Sequence, residues 1–135
     1  MVFIPFKQIG NFKFGESEGK LIEEEGLKSS GKPGVNGKMI YQKNNFVFRF
    51  DNSLLTQVQV ADPDFPIFVG GLDLAKPHNI RNYVGENVCI ESRAHFIFLD
   101  SGLAIGKDLK EIDLFFFDKA LVKFWQNIHR PITSW

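Results

Sequence analysis

The chain repeats its own pattern, and a recurring pattern narrows the possible architectures more than composition does. Ile9-Gly10 is followed by alternating Phe12 and Phe14 and by a short helical stretch that Ser17 opens and Gly26 closes. Sixty residues on, Val69-Gly70 is followed by Leu72 and Leu74 and by a similar stretch that Pro77 opens and Gly85 closes. The span from the first glycine to the last is 16 residues in one copy and 15 in the other. Further along, FRFDNSLL (Phe48 to Leu55) aligns without a gap on FFFDKALV (Phe115 to Val122). The copies differ in length where loops tolerate insertion, the second containing the extra stretch SGLAIGKDLKE. The expected fold is α+β: two tandem helix plus antiparallel β-hairpin units forming one sheet, with short helices packed against it. Both units, about 9–60 and 69–125, are expected to share a single domain over residues 1–135.

The local signals are consistent with this plan. Helices are predicted over 17–25 and 77–84, each too short to be stable without packing. Leu21 and Ile22 give the first a small apolar face, and Ile80, Tyr83 and Val84 give the second an i, i+3, i+4 stripe behind Pro77 at its first position. Gly26 and Gly85 are expected to close them in the left-handed conformation. Phe46, Phe48 and Phe50 alternate with Asn45, Val47 and Arg49, so the rings share one strand face; Asn44-Asn45 and Asn52-Ser53 are the turn residues around that strand, and Val58 and Val60 continue its inward face on the next. Ala94 to Leu99 and Ile112 to Phe117 read as strands, with Asp100-Ser101-Gly102 and Asp118-Lys119 as turns. Leu114 to Phe117 is apolar on both faces, which marks a central, covered strand. Segments 28–38 (KSSGKPGVNGK) and 61–66 (ADPDFP) read as loops, the second as the joint between copies.

Composition closes off several functions. The chain has 135 residues, 44% of them apolar and 24% charged, with 16 basic and 16 acidic side chains, eight of each sign in residues 1–66 and again in 67–135. No electrostatic field draws it to nucleic acid or an anionic membrane, and no apolar run is long enough for a membrane helix. Fifteen Phe against two Tyr and two Trp are accounted for by strand faces, not by a base-stacking platform. His78, His95 and His129 have no ligand neighbours at metal spacing, so no metal and no cofactor is expected. His95, alternating with Phe96 and Phe98, lies on the opposite face of its strand. Ser29 to Gly34 shares letters with a phosphate loop but lacks the preceding strand and the Ser or Thr after Lys32, and Pro33 blocks the helix. Asp51 and Asp118 read as turn residues bonded to their own backbone, and Asp62 and Asp64 supply too few oxygens for calcium. Cys89, the single cysteine, lies between Val88 and Ile90 and reads as a buried strand residue with no basic partner to activate it. No catalytic residue is assigned. The N-terminus MVFIPFKQIGNFKFG has no basic start followed by an apolar run and a cleavage site, so the expected location is the cytoplasm.

The repeated unit, a glycine and short helix closing on a glycine, then the strand Ile40-Tyr41 and an F-x-F-D hairpin, resembles the tandem helix-plus-hairpin unit of β-lactamase inhibitor proteins and of small outer-membrane assembly lipoproteins. Those families are exported. A small cytoplasmic protein on this plan, rich in Phe and Lys and free of catalytic motifs, is similar to the immunity proteins that bacteria make against toxins such as those of contact-dependent growth inhibition. The resemblance covers about residues 9 to 125 and transfers no functional residue. It implies a non-enzymatic protein whose partner is a cognate toxin, neutralised by covering its active or entry site. The acidic helix, with Glu16, Glu18, Glu23, Glu24 and Glu25, is the expected contact if that toxin is basic. Two other readings stay open: a small hydrolase or ligand-binding protein with a site at the seam between copies, using His95 or His78, and an adaptor subunit held through Leu114–Phe117 or the tail Ile128–Trp135.

Overall fold

Strand alternation decides the layers. Phe48, Phe50, Val58 and Val60 alternate with Arg49, Gln57 and Gln59, so one sheet face is wholly apolar and the other mixed. The computed structural model describes the backbone of residues 1–33 and 39–129, and side chains of 1–27 and 40–128. It is an α+β protein with a mostly antiparallel sheet and a few short helices. In chain order the elements are β1 (Phe3–Ile4), β2 (Gln8–Ile9), β3 (Phe12–Lys13), α1 (Glu18–Glu25), β4 (Lys28–Pro33), β5 (Met39–Lys43), β6 (Phe46–Asp51) and β7 (Leu54–Ala61). There follow β8 (Phe68–Val69), β9 (Leu72–Asp73), α2 (Pro77–Glu86), β10 (Ile90–Glu91), β11 (His95–Phe98), β12 (Leu103–Gly106), β13 (Asp113–Phe117), a 3-10 turn over Lys119–Leu121 and α3 (Val122–His129). Eight strands form the main sheet in the order β10-β11-β12-β13-β7-β6-β5-β4, while β1-β2-β3 and β8-β9 form two small sheets. Strands β13 and β7 pair antiparallel at the centre, Leu114 opposite Val60 and Phe116 opposite Val58.

The apolar face holds the core. Phe48, Phe50, Val58, Val60, Leu103, Ile105, Leu114 and Phe116 are buried there with Leu21 of α1, Ile80 and Tyr83 of α2, and Phe3, Ile9 and Phe12 of the small sheets. Aromatic edges tie these layers: Phe12 to Phe48 at 4.8 Å between centroids, Phe3 to Phe116 at 4.7 Å, Tyr83 to Phe98 at 4.9 Å. Each such fully buried side chain contributes about 1.5–3 kcal/mol of transfer free energy. The opposite face is covered by α3, whose Trp125 and the preceding Leu121 cluster with Ile97, Ala104 and Phe117.

Helix α1 forms as its sequence dictates, the Ser17 hydroxyl accepting from Lys20 N at 3.3 Å and Gly26 closing it at φ 65°. Asn44 (φ 53°), Asn52 (φ 53°) and Ser53 (φ 64°) make the tight turns around β6 in the left-handed region. Several expectations are corrected. Residues 28–33 are strand β4, paired with β5 through a register shift between Ser29 and Pro33, and not loop; the remainder of that segment, 34–38, lies outside the described residues. Gly85 does not close α2: the helix runs to Glu86 and is capped by Asn87, whose backbone N–H and side-chain Nδ2 both donate to Tyr83 O, at 3.1 and 2.9 Å. Asp118-Lys119 does not turn into a second strand but leads into the 3-10 turn and α3, because Lys119 and Ala120 stay out of the left-handed region that Asn52 and Ser53 adopt. Cys89 precedes β10 and is half-buried beside Val88, which is 88% exposed; burial pushes its thiol pKa up, Glu91 adds to this and Lys107 opposes it. The tail residues 130–135 lie outside the described residues.

Candidate functional site

Three carboxylates of the acidic segment have partners among the described residues. Glu16 sits 3.7 Å from Lys20 Nζ one turn along, and Glu25 lies 3.5 Å from Lys43 Nζ on β5. Glu18 accepts the hydroxyl proton of Tyr41, a buried residue on β5. These three are half-buried, whereas Glu23 and Glu24 are exposed and have no partner among the described residues. The bond to Glu18, reinforced by burial and by the carboxylate charge, pushes the Tyr41 pKa from 10.0 up to about 12. A pKa raised on folding means the fold binds that proton more tightly. The stabilisation is complete below pH 10 and is lost as pH rises through about 12. Glu18→Gln is expected to bring the Tyr41 pKa down towards its ordinary value and to move the alkaline loss of stability to lower pH. A pH titration of the Tyr41 ring carbon by NMR, run with unfolding at each pH, checks both.

A second assembly lies under α3. Trp125 stacks on Phe117 with centroids 5.4 Å apart and planes at 21°, stands edge-on to His95 at 5.4 Å, and leans on Phe115 at 5.2 Å. Its indole Nε1 donates to Gln57 Oε1 on β7 at 3.0 Å. On the adjacent residue of the helix, the Arg49 guanidinium lies 4.5 Å from the centroid of the exposed Phe124 ring. Arg49 Nε is 3.3 Å from Asp51, which also accepts from the Thr56 hydroxyl.

His95 and Asp113 belong to the same face. His95 opposes Gly106 in register, and a Cβ on Gly106 would stand 3.3 Å from Asp113 Cβ, so this glycine leaves room between the two side chains. Asp113 accepts from Gln59 Nε2 at 2.8 Å, a bond that crosses from β13 to β7. Burial lowers the His95 pKa against the pull of the Asp113 charge, and burial raises that of Asp113 against the Gln59 bond and His95. His95 Nδ1 is buried without a hydrogen-bond partner among the described residues.

The sequence-predicted residues are therefore not brought to one place. Glu18, Glu23, Glu24 and Glu25 share α1, at the β4–β5 end of the sheet, and Glu16 just precedes its cap Ser17. His78 is exposed in the first turn of α2, a helix whose buried residues belong to the apolar face, while His95 lies on the other face. Leu114, Phe116 and Phe117 are buried, and Phe115 is partly buried against Trp125. Sequence reasoning missed the Trp125 assembly; the spacing of Leu121, Trp125 and Ile128 was its available signal. Among the described residues, no group of three or more His, Cys, Asp or Glu is placed to hold a metal ion, and no helix is long and apolar enough to cross a membrane. Comparison of the chain with protein families, with curated proteins and with solved structures finds no match.

Proposed function

We propose that this protein is a non-enzymatic binding module, an immunity protein that neutralises a cognate toxin in the cytoplasm by covering its active or entry site. One observation carries the reading. Each half of the chain runs through a small hairpin, a helix and four successive sheet strands, β2-β3-α1-β4-β5-β6-β7 and then β8-β9-α2-β10-β11-β12-β13, and the last strands of both halves lie side by side. That order supports two tandem helix-plus-hairpin units in a single domain, the plan on which the resemblance to inhibitor and immunity proteins rests. Gly10 and Gly70 support it further, since they turn the two small hairpins at nearly equal φ, 58° and 55°.

On this reading the toxin meets α1 through Glu23 and Glu24, the two carboxylates of that helix with no partner among the described residues. Charges of this kind act mainly by steering association and setting salt dependence. Co-expression with a toxin encoded beside its gene is expected to restore growth and to yield a stable complex. Reversing both charges, Glu23→Lys with Glu24→Lys, is expected to weaken that complex about tenfold at low salt, chiefly through a slower on-rate. No rescue and no complex would overturn the function; full affinity in the double variant would remove α1 from the interface.

A further inference from the structure

At the far side of the apolar layer from α1, the end of α2 meets β1 and the turn after β11. A cleft of about 380 Å3 opens there between Phe3, Ile4, Pro5, Val69 and Tyr83, with Asn87 and Ser101 at one side. A second hollow of about 320 Å3 shares Tyr83, Asn87 and Ser101 with it and continues past Val88 to Glu86 and Asp100. Volumes of roughly 300–1,000 Å3 are those of pockets that hold a ligand or an anchoring side chain. The two ends differ in chemistry. One is apolar, and its rim includes Ile4, 41% exposed; the other carries two exposed carboxylates, Glu86 and Asp100, with no partner among the described residues. No lysine or arginine is among the described residues that line either hollow.

The floor between the ends is fixed. Asn87 is bound twice to Tyr83 O, Tyr83 stands edge-on to Phe98, and the Ser101 and Gly102 amides both donate to Phe98 O, at 3.3 and 3.0 Å. Val88, 88% exposed, lines the second hollow. The preorganised floor lowers the ordering cost of a partner that binds there.

We propose that this groove docks a segment of a partner protein that sets a bulky apolar side chain beside a lysine or arginine, the apolar group seated against Phe3 and Tyr83 and the cation against Glu86 and Asp100. The charge pattern selects this occupant. A neutral apolar segment leaves both carboxylates desolvated and unpaired, and an acidic one adds repulsion. A guanidinium gains charge-assisted hydrogen bonds to both. The groove is separate from α1 and stands whether or not the toxin touches that helix.

The probe is the tetrapeptide Ac-Ala-Phe-Arg-Ala-NH2, titrated into the labelled full chain and followed by amide NMR. Saturable shifts at Gly70, Tyr83, Asn87 and Ser101 are expected. Ac-Ala-Phe-Glu-Ala-NH2 and Ac-Ala-Ala-Arg-Ala-NH2 are each expected to bind about tenfold more weakly or less, which is about 1.4 kcal/mol. In Glu86→Gln and Asp100→Asn, single changes at exposed positions whose spectra report an intact fold, the preference for Arg over Glu is expected to shrink. Equal binding of the Arg and Glu peptides, shifts confined to other surfaces, or no shift at millimolar peptide would each overturn the proposal. Concentration-dependent shifts at these amides without peptide would overturn it too, in favour of a second copy of the chain. Growth rescue by co-expression does not depend on the outcome, so the two proposals fail separately.

Discussion

Trp125→Ala is expected to lower the free energy of unfolding by about 3–5 kcal/mol, as truncation of a buried Trp in a packed cluster does. Trp125 is only 3% exposed and is the part of α3 that touches Phe117, Phe115 and His95. Its removal opens a cavity over the sheet, strips Gln57 of its indole donor and leaves an eight-residue helix with little to hold it down. Trp125→Phe keeps most of the stacking and loses the hydrogen bond, so about 1–3 kcal/mol is expected. Urea unfolding of the two variants checks the ranking. If Trp125→Ala costs under about 1 kcal/mol, α3 is not docked as described.

Gly102→Ala is the second large effect, and its origin is different. Gly102 is held at φ 75°, and a Cβ there would stand 2.4 Å from the Phe117 carbonyl oxygen and 2.9 Å from the Phe6 ring. The Phe6 ring can move, but the Phe117 oxygen belongs to the end of the central strand. Phe117 also donates its N–H to Gly102 O at 2.8 Å, so relieving the clash disturbs that link. We expect a loss of about 3 kcal/mol or more, made of left-handed strain of about 1–2 kcal/mol plus the displacement of β13. Gly15→Ala separates the two contributions. Gly15 has φ 87° and nothing within 4 Å of a built Cβ, so it is expected to carry the backbone strain alone. Equal losses at both positions would falsify the steric part of the account.

Much of the fold was legible because it is written locally. Ser17 and Gly26 bracket α1, Pro77 begins α2, and Asn44, Asn52 and Ser53 mark the turns on either side of β6. The alternation of Phe46, Phe48 and Phe50 correctly assigned their common face. What was missed depends on partners remote in sequence or on one residue's backbone preference. FRFDNSLL and FFFDKALV look alike as strings, yet Asn52 and Ser53 accept left-handed φ and fold back into β7, whereas Lys119 and Ala120 wind into a helix. Strand β4 gave no strand signal because Lys, Ser, Gly and Pro are poor strand formers, and only its pairing with β5 makes it one. The proximity of His95 to Asp113 depends on Gly106 lying in register between them, which no spacing along the chain discloses. Of the candidate contact surface, the acidic character of α1 was legible. That Glu18 and Glu25 meet Tyr41 and Lys43 of β5 was not, because those partners are remote in sequence.

The central pairing of β7 with β13 also bears on how the chain reaches its fold. Residues far apart in the chain meet there: Gln59 on β7 bonds Asp113 on β13 over 54 positions, and beside them Gln57 bonds Trp125 of α3 over 68. The hairpins β5-β6 and β6-β7 close over short loops, but the joint between the halves requires a long closure before it gains any contact. During synthesis β7 is therefore an unpaired edge, with Val58 and Val60 on its apolar face, until β13 arrives to cover its backbone. The strand that makes one sheet of two halves is thus also the most exposed to wrong pairing while the chain is incomplete, and rapid arrival of the C-terminal half is its protection.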